Sequence, residues 1–286
     1  MFSFFDLPNT RTTHILVIDV GAMNLGAEIH APLTRGGRAG VLGFEPVISE
    51  CDKLNEQRPA DRRYLPLAIG DGSRQAFHIC NYPMTSSLYE PNTSLVSLYQ
   101  SLGELMRVTR SVDLKTTRLD DINEARQADF LKLDVQGAEL GILLGAPITL
   151  SHTLVVHTEV EFVPLYSNQP LFAEVDQELR RRGFYFHRFH SLMGRPLKPL
   201  SQNNDLCASM GQTLWGDAVY VRDPQRLDEL TPDALLKLAA IAHEVYASYD
   251  YTARVLEFHD RKTNSGLYRE YLLKLTGQDV AVPVPA

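Results

Sequence analysis

Short β-branched apolar runs alternate with segments of helical spacing along most of the chain, the pattern of an α/β fold with a largely parallel sheet. The first run, HILVIDV over residues 14–20, is nearly continuous in apolar residues, as a strand covered on both faces should be. Further strands are expected over 40–45, 64–69, 74–80, 130–134, 153–159, 184–189 and 218–221. Helices are expected over 137–145 and over about 169–182, the second closed by Gly183. The stretch 81–93, rich in Pro, Asn, Ser and Thr, reads as a long loop of the kind that often carries function.

After Asp223-Pro224 the pattern is helical only. Leu235, Leu238, Ala239, Ala242, Val245, Tyr246 and Tyr249 form one apolar face, and Leu267, Tyr271 and Leu275 continue at i, i+4, i+8. The chain therefore divides into a Rossmann-like α/β domain, 1–224, and a C-terminal helical extension, 225–286. An extension of this length has no robust core of its own. It is expected to pack on the α/β domain or on a second subunit, giving a homo-oligomer.

Composition narrows the partners. The 286 residues are 44% hydrophobic and 22% charged, with a formal net charge of −7. A general nucleic-acid binder needs a basic surface, and the one dense basic run, Arg180 to Arg182, reads as a solvated helix face. No apolar stretch approaches the ~20 residues of a membrane-spanning helix, and residues 1–7 lack the features of a signal peptide. Cys51, Cys80 and Cys207 are odd in number, far apart and in no CxxC pair, so reduced thiols that are buried or partly so, in a cytoplasmic setting, are expected.

Candidate chemistry gathers where the apolar runs stop, because ligands in open α/β sheets bind beyond the carboxyl ends of the strands. The first run ends in Asp19-Val-Gly21-Ala22 rather than in G-x-G-x-x-G. An acid there repels a diphosphate and suits a cofactor carrying an ammonium and a sulfonium, namely S-adenosylmethionine. Glu45 ends the second run and can accept both ribose hydroxyls. Ile69 and Asp71 end the third, where an adenine ring could lie; a Gly-Asp-Gly turn explains them equally well. Asp134 closes FLKLD on the same sheet edge as Asp19. His157, Glu159 and Glu161 alternate, so they share one strand face. His157 is the first candidate for a base acting on a hydroxyl, with Asp134 second and Glu159 beside them. A structural histidine and a His/Glu/Glu metal site are the competing readings of His157; no metal is expected.

These residues resemble a known family. FLKLDVQGAEL at 130–140 is similar to the signature of the FkbM-type methyltransferases, with Asp19-Val-Gly-Ala, Gly43-Phe-Glu-Pro46, Ala68-Ile-Gly-Asp71 and TSSLYEPN at 85–92 matching in order and spacing over roughly residues 14–190. The resemblance implies a class I methyltransferase fold and S-adenosylmethionine as cofactor. It also implies methylation, usually of a hydroxyl, on a sugar or other small-molecule acceptor. By position Asp19, Gly21 and Ala22 match the first cofactor loop, Glu45 the ribose acid, and Asp134 the acid at the methyl-transfer edge. Ser86, Ser87 and Tyr89 on loop 83–92 are candidates for a substrate lid. Met23 departs from the family pattern by standing before Asn24-Leu-Gly26, which points to a reshaped cofactor loop. A nicotinamide-dependent oxidoreductase and a methyltransferase-fold scaffold without turnover are the alternative readings.

Overall fold

The computed structural model describes residues 2–22, 28–56 and 58–278; the departure at Met23 and Asn24 lies outside them. The strands are β1 (Ile15–Val20), β2 (Ala39–Phe44), β3 (Arg62–Leu65), β4 (Arg74–Cys80), β5 (Val108–Lys115), β6 (Phe130–Leu133), β7 (Val155–Glu161), β8 (Phe184–Met193) and β9 (Trp215–Arg222). Helices α1 (Ala31–Thr34) and α2 (Ile48–Glu56) fall among the first three strands, and the short α3 (Thr93–Val96) and α4 (Leu102–Leu105) lie between β4 and β5. Three more follow β6, namely α5 (Glu139–Leu144), α6 (Pro147–His152) and α7 (Phe172–Arg181), and α8 (Pro232–Glu244), α9 (Tyr249–Thr263) and α10 (Leu267–Thr276) close the chain.

Among the described residues seven strands form one sheet in the order β3-β2-β1-β6-β7-β9-β8. The first five are mutually parallel, and β9 runs antiparallel between β7 and β8. Counted within the sheet alone the order is 3-2-1-4-5-7-6, the arrangement of a class I methyltransferase. The order reverses between β1 and β6, so the carboxyl ends of these two strands open the crevice in which such sheets bind ligands. The third strand is shorter than expected and leaves Ile69 in an isolated bridge to Thr117. β4 stands apart from the main sheet, pairing with β5, a strand the apolar pattern does not mark because its side chains are mostly exposed.

Two apolar layers sandwich the sheet. One face packs Ile18, Leu131 and Val156 against Ile142, Leu143 and Leu179 from α5 and α7. The other packs Val17, Phe130, Val155 and Val219 against Leu235, Leu238 and Ala242 of α8 and Val255 and Leu256 of α9. The C-terminal helices are thus the second layer of the same core rather than an appended bundle, with Leu267 and Tyr271 of α10 buried and Leu273 and Leu275 exposed. Thr231 caps α8 by accepting the Ala234 N–H, with Pro232 in the first turn. The helical spacing of 235–249 does not form a single helix: α8 ends at Glu244, and Ala247 takes φ +50° before α9 begins. Ion pairing joins the layers, since the Asp129 carboxylate accepts the Leu16 N–H (2.9 Å) and lies 3.2 Å from Lys237 Nζ on α8. Cys51 and Cys80 are buried thiols, whereas Cys207 is exposed. Arg180 pairs with Asp176, and Arg181 and Arg182 flank the buried Glu178. No helix among the described residues is long and apolar enough to cross a membrane.

Candidate active site

The carboxyl ends of β1, β2, β6 and β7 converge on a cavity of about 420 Å³, and segments 67–69, 77–88 and 102–110 complete its wall. Gly21, Glu45, Ile69, Ser86, Asp134 and Glu159 line it. Asp19, Ala22, Asp71, Ser87, Tyr89 and His157 do not, and each has a local reason.

Register decides the placement of Asp19 and His157. Gly43, Asp19, Lys132, His157 and Val219 form one row across five strands. In that row Asp19 is held by Lys132 beside it, and His157 is covered by Tyr246 from the turn between α8 and α9. His157 is 4% exposed; its Nδ1 is 3.1 Å from the Tyr246 hydroxyl, and its Nε2 is 3.7 Å from Asp217. Glu159 shares its strand face but sits two residues further along, beyond that cover. Alternation fixes the face correctly and says nothing of depth, so the histidine expected at the reacting hydroxyl lies inside the core. Among the described residues no group of three such side chains is placed to hold a metal ion.

Asp71 is used by its own turn: its carboxylate accepts from Ser73 N (2.9 Å), Ser73 Oγ (2.6 Å) and Gln75 Nε2 (3.0 Å). These bonds from Ser73 hold its carboxyl below the usual carboxylate range. Ala22 packs with Cys51 and Tyr64, and Tyr89 packs with the cluster around Val96 and Leu165. Ser87 is buried behind the wall, where its hydroxyl donates to the Gln136 carbonyl (2.6 Å).

Lys132 and Gln136, which the strand pattern leaves unmarked, organise the acids. Lys132 Nζ lies 3.2 Å from Asp19 Oδ1 and 3.5 Å from Asp134 Oδ2, and donates to the Gly21 carbonyl (3.2 Å). Burial works against the ammonium, but the two carboxylates outweigh it and hold the lysine above its ordinary range. Gln136 sits at φ +58°, a left-handed conformation uncommon for a side-chain-bearing residue and often associated with functional turns. From there its Nε2 donates to Asp134 Oδ1 (2.9 Å) and Glu159 Oε2 (2.6 Å), while its Oε1 accepts from the Tyr166 hydroxyl (3.3 Å).

The acids are crowded. Burial, then the charge of Asp134 and its neighbours, raises the Glu159 carboxyl well above the usual range; burial and the charges of Glu139 and Asp134 do the same to Glu161. Glu139, which accepts the Val135 N–H at 2.9 Å, is pushed up to about 7, chiefly by burial. A carboxyl whose folded value exceeds its unfolded value stabilises fully below the unfolded value and loses that contribution as pH rises through the folded one. The free protein should therefore lose stability between pH about 4.5 and 7 through this group. Urea denaturation across that window, with Glu139→Gln as the flatter control, checks this.

S-adenosylmethionine fits the residues present. Gly21 has φ +79°, and a Cβ there would stand 1.9 Å from the Asp134 carbonyl oxygen, so only glycine lets β1 and β6 close into the floor of the cavity. Glu45 is 3% exposed; it accepts the Val47 N–H (2.8 Å) and, among the described residues, takes no second donor. Burial raises its carboxyl, a cost that a ribose diol donating to it would offset. The clustered acids at the Asp134–Glu159 end favour a cation, as a sulfonium is.

Comparison with known proteins agrees with this geometry. The methyltransferase FkbM domain matches residues 19–186. A 2-O-methyltransferase NoeI of Sinorhizobium fredii (strain NBRC 101917 / NGR234) is 31% identical over 175 residues, 56% of this chain and 70% of that protein. Among solved structures, magnesium protoporphyrin IX methyltransferase from Synechocystis PCC 6803 with bound SAM aligns at TM-score 0.35 and 15% identity, over 75% of this chain and 72% of that one. Strand order, not this last alignment, sets the fold.

Proposed function

This chain belongs to the FkbM methyltransferase family and is an S-adenosylmethionine-dependent methyltransferase, and from that premise we propose that it methylates a hydroxyl of a small molecule or sugar, with Glu159 as the base. The observation that carries the proposal is the setting of Glu159, a cavity-lining carboxylate fixed by Gln136 and raised in proton affinity by burial and by the acids around it. When bound, the cofactor supplies a methyl group already activated by a sulfonium. The protein then has to align the acceptor oxygen and take its proton, and alignment alone can supply several kcal/mol of the barrier. A base is most effective with its proton affinity near the working pH. Asp134, 2.9 Å from the same Gln136 nitrogen, holds the other side of the clamp and faces the Lys132 charge.

Supporting an oxygen acceptor is the name of the relative from Sinorhizobium fredii, a 2-O-methyltransferase. Glu45 would hold the ribose, Gly21 would admit the methionine end, and Ile69 would lie against the adenine. Ser86 belongs to the acceptor side. The free cysteines fit a cytoplasmic setting.

His157 serves the core in this proposal. His157→Ala should cost about 1–3 kcal/mol of stability by leaving the buried Tyr246 hydroxyl without its partner, and the folded fraction should keep turnover within a few-fold. Methyl-labelled cofactor incubated with matched hydroxyl- and amine-bearing acceptors tests the reaction class. Label appearing in ethers supports the proposal. Label confined to amines, or a His157→Ala enzyme that is folded but inactive, contradicts it.

A further inference from the structure

Beyond Glu159 the cavity changes character. Phe77 and Ile79 of β4, Met84, and Leu102, Leu105 and Met106 around α4 give it an apolar wall. Facing into the same cavity are Trp215, at the start of β9, and Arg195, whose guanidinium stands 5.0 Å from the Trp215 ring centroid. The Arg195 head is held in place by the carbonyls of Gly194 (2.9 Å) and Cys207 (3.1 Å), yet its Nε is buried with no hydrogen-bond partner. A buried donor without a partner is costly, and an oxygen brought by a ligand removes that cost. Both residues lie after 186, where the family match ends, Arg195 in the β8–β9 connection and Trp215 at the first position of β9.

We propose that the acceptor is an amphipathic molecule, with an aromatic or acyl body seated on the apolar wall and an anionic oxygen group (carboxylate, phosphate or sulfate) received by Arg195. This narrows the acceptor of the site described above and rests on that reading of it. A bare sugar presents hydroxyls around its whole edge and would leave them unpaired against such a wall. A cationic head held on an aromatic plane is also well placed to meet an anion.

Binding of defined probes to the full chain saturated with S-adenosylhomocysteine tests the proposal. The probes are 2-naphthol, 3-hydroxy-2-naphthoate, 2-naphthyl phosphate and methyl glucopyranoside. At least one anionic naphthalene should bind about tenfold tighter than 2-naphthol, and methyl glucopyranoside should bind weakest; the tighter of the two anions identifies the group. Arg195→Met should abolish the anion's advantage and leave 2-naphthol within twofold. Arg195→Lys keeps the charge but not the Nε donor or the plane, and should lose at least threefold of that advantage; it replaces the methionine variant if thermal melting shows that one unfolded. A glucopyranoside bound more tightly than 2-naphthol overturns the apolar body. An anion preference untouched by these substitutions overturns the role of Arg195. No probe bound by a chain that still takes S-adenosylhomocysteine overturns the proposal as a whole, whereas failure to take S-adenosylhomocysteine overturns the reading beneath it.

Discussion

Glu159→Gln should lower kcat by about 10²- to 10⁴-fold, the usual contribution of a positioned general base, with affinity for S-adenosylhomocysteine held within a few-fold. The amide is nearly isosteric, so the Gln136 contact and the cavity wall survive while the proton acceptor is lost. Activity of the unsubstituted enzyme should rise with pH as Glu159 gives up its proton. Its carboxyl is raised first by burial and then by Asp134, Glu161 and Glu139, so the rise begins above the ordinary carboxylate range. A sulfonium beside the carboxylate favours the charged form. The ascending limb should therefore lie at lower pH in kcat, which reports the complex, than in kcat/KM for the cofactor, which reports the free enzyme. A Glu159→Gln enzyme with the full limb intact would contradict the assignment.

Lys132→Met should cost about 3–5 kcal/mol of stability, as removal of one partner from a buried ion pair does. The lysine side chain is 16% exposed and that of Asp19 is 9% exposed, so Asp19 loses its countercharge where water scarcely reaches, while Asp134 loses it at the cavity edge. Urea denaturation should show a lower midpoint with an unchanged slope. Adding Asp19→Asn should restore part of the loss, because an amide can sit there without a counterion. A double variant no more stable than the single one would mean that Lys132 acts through packing of its stem rather than through charge. The same substitution should weaken cofactor binding, since Lys132 also holds the Gly21 carbonyl.

How far the sequence could be read follows from what each signal encodes. Continuous apolar runs mark the buried parallel strands, and the acids at their ends mark the crevice, because a central strand has little reason to end in a carboxylate otherwise. Glu45 and Asp134 line the cavity as expected on that basis, whereas Asp19 and Asp71, expected on the same basis, are held by Lys132 and by the Ser73 turn instead. Depth is a different matter. His157 and Glu159 look equivalent by alternation, and the difference is made by Tyr246, 89 residues away, which covers one and not the other. Lys132 reads as an interruption in an apolar strand; its meaning appears only when register sets it beside Asp19. Gln136 lies inside FLKLDVQGAEL, yet its left-handed turn and its grip on two acids are tertiary facts. Helical spacing likewise continues through Val245, Tyr246 and Tyr249 although the chain turns at Ala247. Arg195 belongs to a connection that no periodicity marks at all, and Trp215 opens β9 three residues before the apolar run that marks that strand.

Titration of the protein with S-adenosylhomocysteine by calorimetry, alongside Glu45→Ala, tests the central claim most directly. Binding in the micromolar range, weakened about tenfold or more in the variant through loss of charge-assisted hydrogen bonds worth about 1.5–3 kcal/mol, is the predicted result. A folded protein that does not bind, or a variant that binds as tightly as the original, would contradict a cofactor site at the β1–β2–β6 edge.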